Sequence, residues 1–275
     1  MYHMREFKEI YTNGCSLMAG SGLDGEHLHH FYKNKHNIIY NDARQVTFPT
    51  LISKHFNVPL TDESMSGSGP ERLIRKTYDF IRNREYQNLQ DVLFILEFNL
   101  PTFRLDIYSK SLGDYLIVNV DYHKNGEIKS VSAVESYTEF GQSVHPDEIR
   151  HCGDEILTHL KNYFDPLSYT DRIKNESISL LNFMETMGLN YTYINEAGTI
   201  SVPRINNKIL DKILDRQFFF EGTIPSISQF TEKYRLGICH ETNNKFGNDS
   251  HPGVLGHLKM SEEFIKQLTP KVKLL

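Results

Sequence analysis

Asp91-Val92-Leu93-Phe94-Ile95-Leu96-Glu97-Phe98 is a nearly continuous apolar run rich in β-favouring residues. A strand with one face in water alternates apolar and polar positions. A run like this one suits the middle of a parallel sheet, covered on both faces. The segments around it repeat a strand–helix rhythm. Upstream, Pro70 opens a helix whose buried stripe is expected to be Leu73, Ile74, Thr77, Tyr78 and Ile81. Before that come a Ser/Gly segment, Ser64 to Gly69, and a brief strand, Val58-Pro59-Leu60. Thr47 caps an earlier helix with Pro49 in its first turn and Phe48, Leu51, Ile52, His55 and Phe56 on one face. Earlier still, Lys8 to Thr12 reads as a strand that ends at the turn pair Asn13-Gly14. Strand, helix, strand, helix, strand in this order argues for an α/β fold with a parallel sheet.

Residues 20–46, polar and rich in Gly and His, read as a long loop. The rhythm breaks between about 106 and 150. There Tyr115 to Tyr122 alternates, Asn125-Gly126 supplies a type I′ turn, and Glu127 to Val134 returns as an inserted β-hairpin. Helices are expected near 153–164, over 171–187 ending at Gly188, and over Ile205 to Leu214. Tyr191 to Ile194 is a further strand. Pro252 starts the last helix, with Met260, Phe264, Ile265 and Leu268 inward. With no repeat or low-complexity linker, residues 1–275 read as one domain carrying an insertion at about 106–150.

Composition removes several classes of function. A formal net charge of −5 and the lack of a basic run give no reason to expect a nucleic-acid partner. The three cysteines, Cys15, Cys152 and Cys239, are far apart and lack metal-like spacing, so a reducing, cytoplasmic setting is the simpler expectation. Met1 to Glu6 lacks the apolar core of a signal peptide, and no stretch approaches a membrane span. The sequons at Asn175, Asn190 and Asn248 are then expected to be idle.

Chemistry concentrates at the two ends of the chain. Thr12-Asn13-Gly14-Cys15-Ser16-Leu17 places a serine on the turn after the first strand. Asn248-Asp249-Ser250-His251-Pro252 places an acid and a histidine on the loop before the last helix. A serine hydroxyl is a weak nucleophile until a base takes its proton, and a carboxylate holds that base in the right tautomer. Alone, Gly14-Cys15-Ser16-Leu17 also reads as an ordinary β-turn with a small buried thiol.

Its context is similar to the SGNH/GDSL hydrolases, particularly the branch found in phage and bacterial genomes. The resemblance runs through four segments in order: Gly14-Cys15-Ser16, then Thr47 through Gly67 to Arg75, then Phe94 to Asn99, then Asn248 to Gly253 with His257 after it. It leaves 106–150 uncovered. It implies a three-layer α/β/α fold with a flavodoxin-like parallel sheet, no cofactor, and a carboxylic ester substrate such as an O-acetylated carbohydrate. By the same resemblance Ser16 would be the nucleophile, His251 the general acid–base and Asp249 its orienting acid. The N–H groups of Ser16 and Gly67 and the amide of Asn99 would form the oxyanion hole. Three positions depart from the family pattern. Cys15 stands where GDSL sequences have aspartate, Asp249-x-His251 is one residue shorter than the usual Asp-x-x-His, and Glu97-Phe98-Asn99-Leu100 replaces Gly-x-Asn-Asp. Asn248 could therefore take the acid's place, leaving a Ser-His dyad.

Other residues have two readings. Asp24, Glu26, His27, His29 and His30 could hold a metal or form a solvated His-rich surface; the surface is favoured. Cys15 could attack as a thiolate, although a side chain beside the turn serine is expected to point into the core. Thr102 and Arg104, after the central strand, could line the substrate site or be a solvated surface pair; His240 and Glu241, shortly before the acid–base loop, could line the pocket. The rival class is a catalytically silent member of the same fold, kept as a glycan-binding or virion structural module.

Overall fold

The computed structural model describes residues 6–99, 104–109, 114–122, 128–133, 158–160, 162, 165–195, 208–247 and 249–269. Its main sheet has four parallel strands: β1 (Glu9–Asn13), β2 (Leu60–Asp62), β3 (Val92–Phe98) and, last along the chain, β7 (Asn190–Asn195). Their spatial order is β2-β1-β3-β7. The helices are α1 (Ser16–Ala19), α2 (Glu26–His36), α3 (Phe48–Phe56), α4 (Pro70–Arg82), α5 (Tyr86–Leu89), α6 (Pro166–Thr186), α7 (Lys208–Leu214), α8 (Ile227–Tyr234), α9 (Ile238–Glu241) and α10 (Val254–Leu268).

Every residue of β3 is buried, as its unbroken apolar run requires. Because successive side chains point to opposite faces, the strand feeds two cores. Leu93 and Ile95 pack with Phe48 and Ile52 of α3, Phe230 of α8, and Met260 and Phe264 of α10. Phe94, Leu96 and Phe98 pack with Leu73 of α4, Leu180 and Met184 of α6, and Ile213 of α7. Burying one side chain of this size is worth about 1.5–3 kcal/mol. The result is three layers, helices on both faces of a parallel sheet.

The insertion adds a strand to the expected hairpin. Antiparallel β5 (Asp114–Tyr122) and β6 (Ile128–Ala133) form it, and β4 (Arg104–Ser109) pairs with the outer side of β5. The turn at Asn125-Gly126 lies outside the described residues, as does most of the helix expected near 153–164. β4 is fastened to α4 by Arg75, whose guanidinium meets Asp106 at 2.6 Å, and by Glu71, which accepts the Asp106 N–H at 2.9 Å.

Five local expectations need correction. Residues 20–46 are not one loop, because Leu28 and Tyr32 supply a buried side on which α2 forms. The second strand begins at Leu60 rather than Val58. The Val58 N–H closes the end of α3 on Ser53, and Pro59 has no N–H, so only its carbonyl joins the sheet, accepting from Ile10. His55 faces water. Tyr78 is exposed too; α4 buries the Arg72 side chain instead, which donates to the carbonyl of Glu63 at 2.6 Å. The last helix begins at Val254, not Pro252. Among the described residues, no helix is long and apolar enough to cross a membrane.

Candidate active site

β1 and β3 end side by side, and the turn after β1 is moulded on β3. Glu97, fully buried, lies on the same face as Leu93 and Ile95 and accepts the Cys15 N–H at 3.0 Å. The Cys15 thiol lies 3.5 Å from the other Glu97 oxygen. Gly14 must be glycine here, since a Cβ would come within 2.8 Å of Glu97 Cβ. Cys15 is extended (φ −99°, ψ −157°) and Ser16 begins the single turn of α1. That geometry sends the thiol inward, leaving Cys15 1 % exposed, while Ser16 Oγ turns to the loop before α10.

There Ser16 Oγ lies 2.9 Å from His251 Nε2, and His251 Nδ1 lies 2.7 Å from Asp249 Oδ1. This chain suits the tautomer in which Nδ1–H donates to Asp249 and Nε2 accepts from the serine. The short Asp-x-His spacing works because Asp249 Oδ1 also accepts the backbone N–H of His251, at 2.9 Å. The carboxylate folds back over an Asx turn and reaches the ring of the same residue. Both side chains are about one-third exposed (35 % for His251 and 34 % for Asp249), so the dyad opens to solvent and substrate. Asn248 lies outside the described residues.

The acid–base loop is held from behind. Cys239 N donates to the Asp249 carbonyl at 2.7 Å, Ile238 N to the His251 carbonyl at 2.8 Å, and Gly253 N to Leu236 at 2.8 Å. Glu241, at the end of α9, accepts Leu255 N at 3.2 Å and Gly256 N at 2.9 Å, two of the unpaired donors at the start of α10. It also accepts the Tyr32 hydroxyl at 2.6 Å. Burial pushes the Glu241 carboxyl up to about 7, against the pull of those donors. His257, one turn into α10, is wholly buried and accepts the first N–H of α3, from Phe48, at 3.2 Å. Burial first, and the nearby His251 second, push it down to about 3, so its ring is neutral.

The remaining sequence candidates fall around this centre. Gly67 has φ +76°, a conformation glycine adopts without strain. Its loop is tied to the nucleophile turn by Met65 N donating to the Gly14 carbonyl at 3.1 Å. Asn99, at the end of β3, donates its amide to the Ser68 carbonyl at 2.7 Å, so it fastens the same loop from the other side. Arg104 starts β4 with its backbone against Gly69; its Nε and Nη1 are buried without a hydrogen-bond partner. His240 is exposed, its Nδ1 3.5 Å from Cys239 Sγ. Thr102 lies outside the described residues. His27, His29 and His30 lie on α2 rather than on a loop, and no cluster of three metal-ligating side chains occurs among the described residues. Glu97 was the supporting residue most open to detection, as a carboxylate in an otherwise apolar strand. Glu241 could be placed near the site but not under the helix, and His257 gives no sequence signal of its role.

No family model and no curated protein matches this chain. Several solved structures are similar to it. One is a member of the lipolytic protein G-D-S-L family from Veillonella parvula, at 10 % identity and TM-score 0.41 over 95 % of this chain and 98 % of that one. Another is an acetyl xylan esterase from the rumen bacterium Butyrivibrio proteoclasticus, at 12 % and 0.42; 97 % of this chain spans 64 % of that chain. A third is the psychrotrophic esterase EstA from Pseudoalteromonas, at 11 % and 0.37, covering 95 % and 99 %. Likeness this loose adds nothing to what the strand order and the residue geometry carry.

Proposed function

We propose that the chain is a carboxylic ester hydrolase of the SGNH/GDSL type, working as one domain through Ser16, His251 and Asp249. The observation that carries this reading is the continuous path from Ser16 Oγ through His251 to Asp249, at 2.9 and 2.7 Å. Both spacings lie within the roughly 2.6–3.2 Å in which a nucleophile and its base can exchange a proton. As Oγ bonds to the ester carbonyl carbon, its proton passes to His251 Nε2. The imidazolium formed is stabilised by Asp249 and returns the proton to the departing alkoxide. Water then repeats the cycle on the acyl-serine and restores Ser16.

The negative charge on the carbonyl oxygen needs donors that are fixed beforehand. The Ser16 N–H, at the start of α1, and the Gly67 N–H are the backbone candidates, with the Asn99 amide as the side-chain one. Losing one such donor typically costs ~10²–10³ in turnover. The acyl group is proposed to be small and carried on a carbohydrate, an O-acetyl ester being the type implied by the sequence resemblance.

Hydrolysis of p-nitrophenyl acetate tests the reading. The wild-type protein should turn it over, and Ser16→Ala should drop the rate by roughly 10³ or more while keeping the same circular dichroism spectrum. Equal rates for the two proteins would reject Ser16 as nucleophile. No turnover of any acyl ester by the wild type would leave the silent, binding-module reading.

A further inference from the structure

Beside the acid–base loop lies a cavity of about 490 Å³, lined by His27, His30, Phe31, Asn34 and Lys35 of α2 and by Lys245 and Phe246. This volume falls within the roughly 300–1,000 Å³ of small-molecule sites. Its chemistry inverts that of the chain. The protein carries a net charge of −5, yet among the described residues the cavity is lined by two lysines and two imidazoles and by no carboxylate.

The cavity is open to solvent, with half-buried Phe31 and Phe246 between exposed His27, His30, Lys35 and Lys245. The Phe31 and Phe246 rings meet edge to face, with centroids 5.8 Å apart, and the His27 ring lies 4.7 Å from Phe246. Lys35 Nζ stands 5.1 Å from the Phe31 ring and Lys245 Nζ 5.4 Å from the Phe246 ring. Such cation–ring contacts orient an ammonium without neutralising it. The turn that delivers Lys245 and Phe246 has two consecutive left-handed residues, Asn243 (φ 53°) and Asn244 (φ 56°). It is clamped by Asn244 N donating to the Cys239 carbonyl at 2.6 Å. The N–H of that same Cys239 holds Asp249, so one short helix, α9, positions both the candidate catalytic acid and the cavity rim. The segment before α2 also lies against the acid: a Cβ on Gly22 would sit 2.5 Å from Asp249 Oδ2.

We infer that this cavity is a binding site for an acidic saccharide, a sugar unit bearing a carboxylate, flanking the candidate esterase centre. The aromatic rings offer flat apolar surface to the C–H face of a pyranose, and the ammonium groups offer charge-assisted hydrogen bonds to its carboxylate. Lys35 Nζ also donates to the Glu241 carbonyl, at 3.4 Å, but a neutral sugar would leave both ammonium charges without a counter-ion, and a bare anion would leave the rings uncovered. That this saccharide belongs to the ester substrate rests on the hydrolase reading; that it binds does not.

Binding is therefore measured on the Ser16→Ala protein, by calorimetric titration with trigalacturonate, maltotriose and inorganic phosphate. Trigalacturonate should bind at least about tenfold more tightly than the other two, and its affinity should fall as salt is raised. Lys35→Glu/Lys245→Glu, and separately the milder Lys35→Gln/Lys245→Gln, should lose about tenfold or more in that affinity. Phe246→Ala should weaken it as well. All of these surface changes, placed in the Ser16 protein, should leave p-nitrophenyl acetate turnover unchanged. No binding of trigalacturonate, equal binding of maltotriose or phosphate, or undiminished binding by both lysine double variants would overturn the inference. If binding holds while the Ser16 protein lacks esterase activity, only the hydrolase reading falls.

Discussion

The carboxylate of Glu97 accepts the backbone N–H of Cys15 at 3.0 Å, so a fully buried acid on the central strand fixes the residue that precedes Ser16. Glu97→Ala would leave that N–H unanswered and open a void in the core, at a cost of about 2–4 kcal/mol. It should also slow ester turnover, because the Ser16 turn loses its anchor. Glu97→Gln keeps an acceptor oxygen and should recover most of both. Urea unfolding beside p-nitrophenyl acetate rates checks this. An Ala variant matching the wild type in both would show that the turn holds itself.

At Asp249 the backbone dictates an unusual expectation. The His251 N–H and Nδ1 share one carboxylate oxygen, at 2.9 and 2.7 Å. In Asp249→Asn, the backbone N–H should keep the amide oxygen, rather than its NH₂, in that place. The tautomer of His251 then survives and only the negative charge is lost. Turnover should fall by about 10² for Asn but by ~10³–10⁴ for Ala, since the full triad effect includes orientation as well as charge. Equal losses for the two variants would mean that the carboxylate does not set the ring.

Cys15 and Ser16 should separate stability from activity. The Cys15 thiol is packed in the core with Leu17, Met18 and Phe48 and lies 3.5 Å from Glu97 Oε1; a thiol is a weak donor, and its bulk is that of a small hydrophobe. Cys15→Ala should cost about 1 kcal/mol and leave most of the esterase rate. Ser16→Ala should do the reverse. Melting temperatures and rates measured on both variants decide it; an inactive Cys15→Ala with an active Ser16→Ala would make the thiol the nucleophile.

The sheet was legible because Val92 to Phe98 is apolar at every position but one, a pattern set by burial on both faces. The exception, Glu97, marks where the strand turns from packing to holding the nucleophile turn. Ser16, Asp249 and His251 were legible as residue types at strand and helix ends, although nothing in their spacing reveals that one Asp249 oxygen serves both N–H groups of His251. α2 was missed because its two buried residues, Leu28 and Tyr32, are separated by polar and histidine positions, and α2's stability comes from tertiary packing rather than an apolar stripe. β4 was missed because Arg104 and Asp106 break its apolar character; Asp106 faces Arg75, on a helix far away in the sequence. The supporting pairs Glu241–Gly256 and His257–Phe48 join residues far apart in the chain or hidden under helix starts, where a sequence shows residue type but not partner.

The two buried titratable groups at the start of α10, Glu241 beneath it and His257 on it, predict opposing pH effects on stability. Glu241 is raised from an ordinary value of 4.5 to about 7. Between those values the folded protein keeps a proton that the unfolded chain releases. Its contribution is therefore fully present below pH 4.5 and is lost as pH rises to about 7. His257 is lowered from 6.5 to about 3. Here the unfolded chain takes up a proton that the folded protein refuses, so the contribution is fully present above 6.5 and is lost as pH falls toward 3. Each unit of displacement corresponds to about 1.4 kcal/mol, so over pH 4.5–6.5 the two effects should largely offset each other. Glu241→Gln, which keeps an acceptor for the N–H groups of α10, removes the first effect. Its stability should drop more steeply than that of the wild type as pH falls from 6.5 to 4.5. His257→Gln, which can still accept the Phe48 N–H, should instead gain stability across the same interval relative to the wild type. Urea midpoints measured through this window give the answer. If Glu241→Gln, His257→Gln and the wild type ran parallel, neither buried group would be titrating with folding.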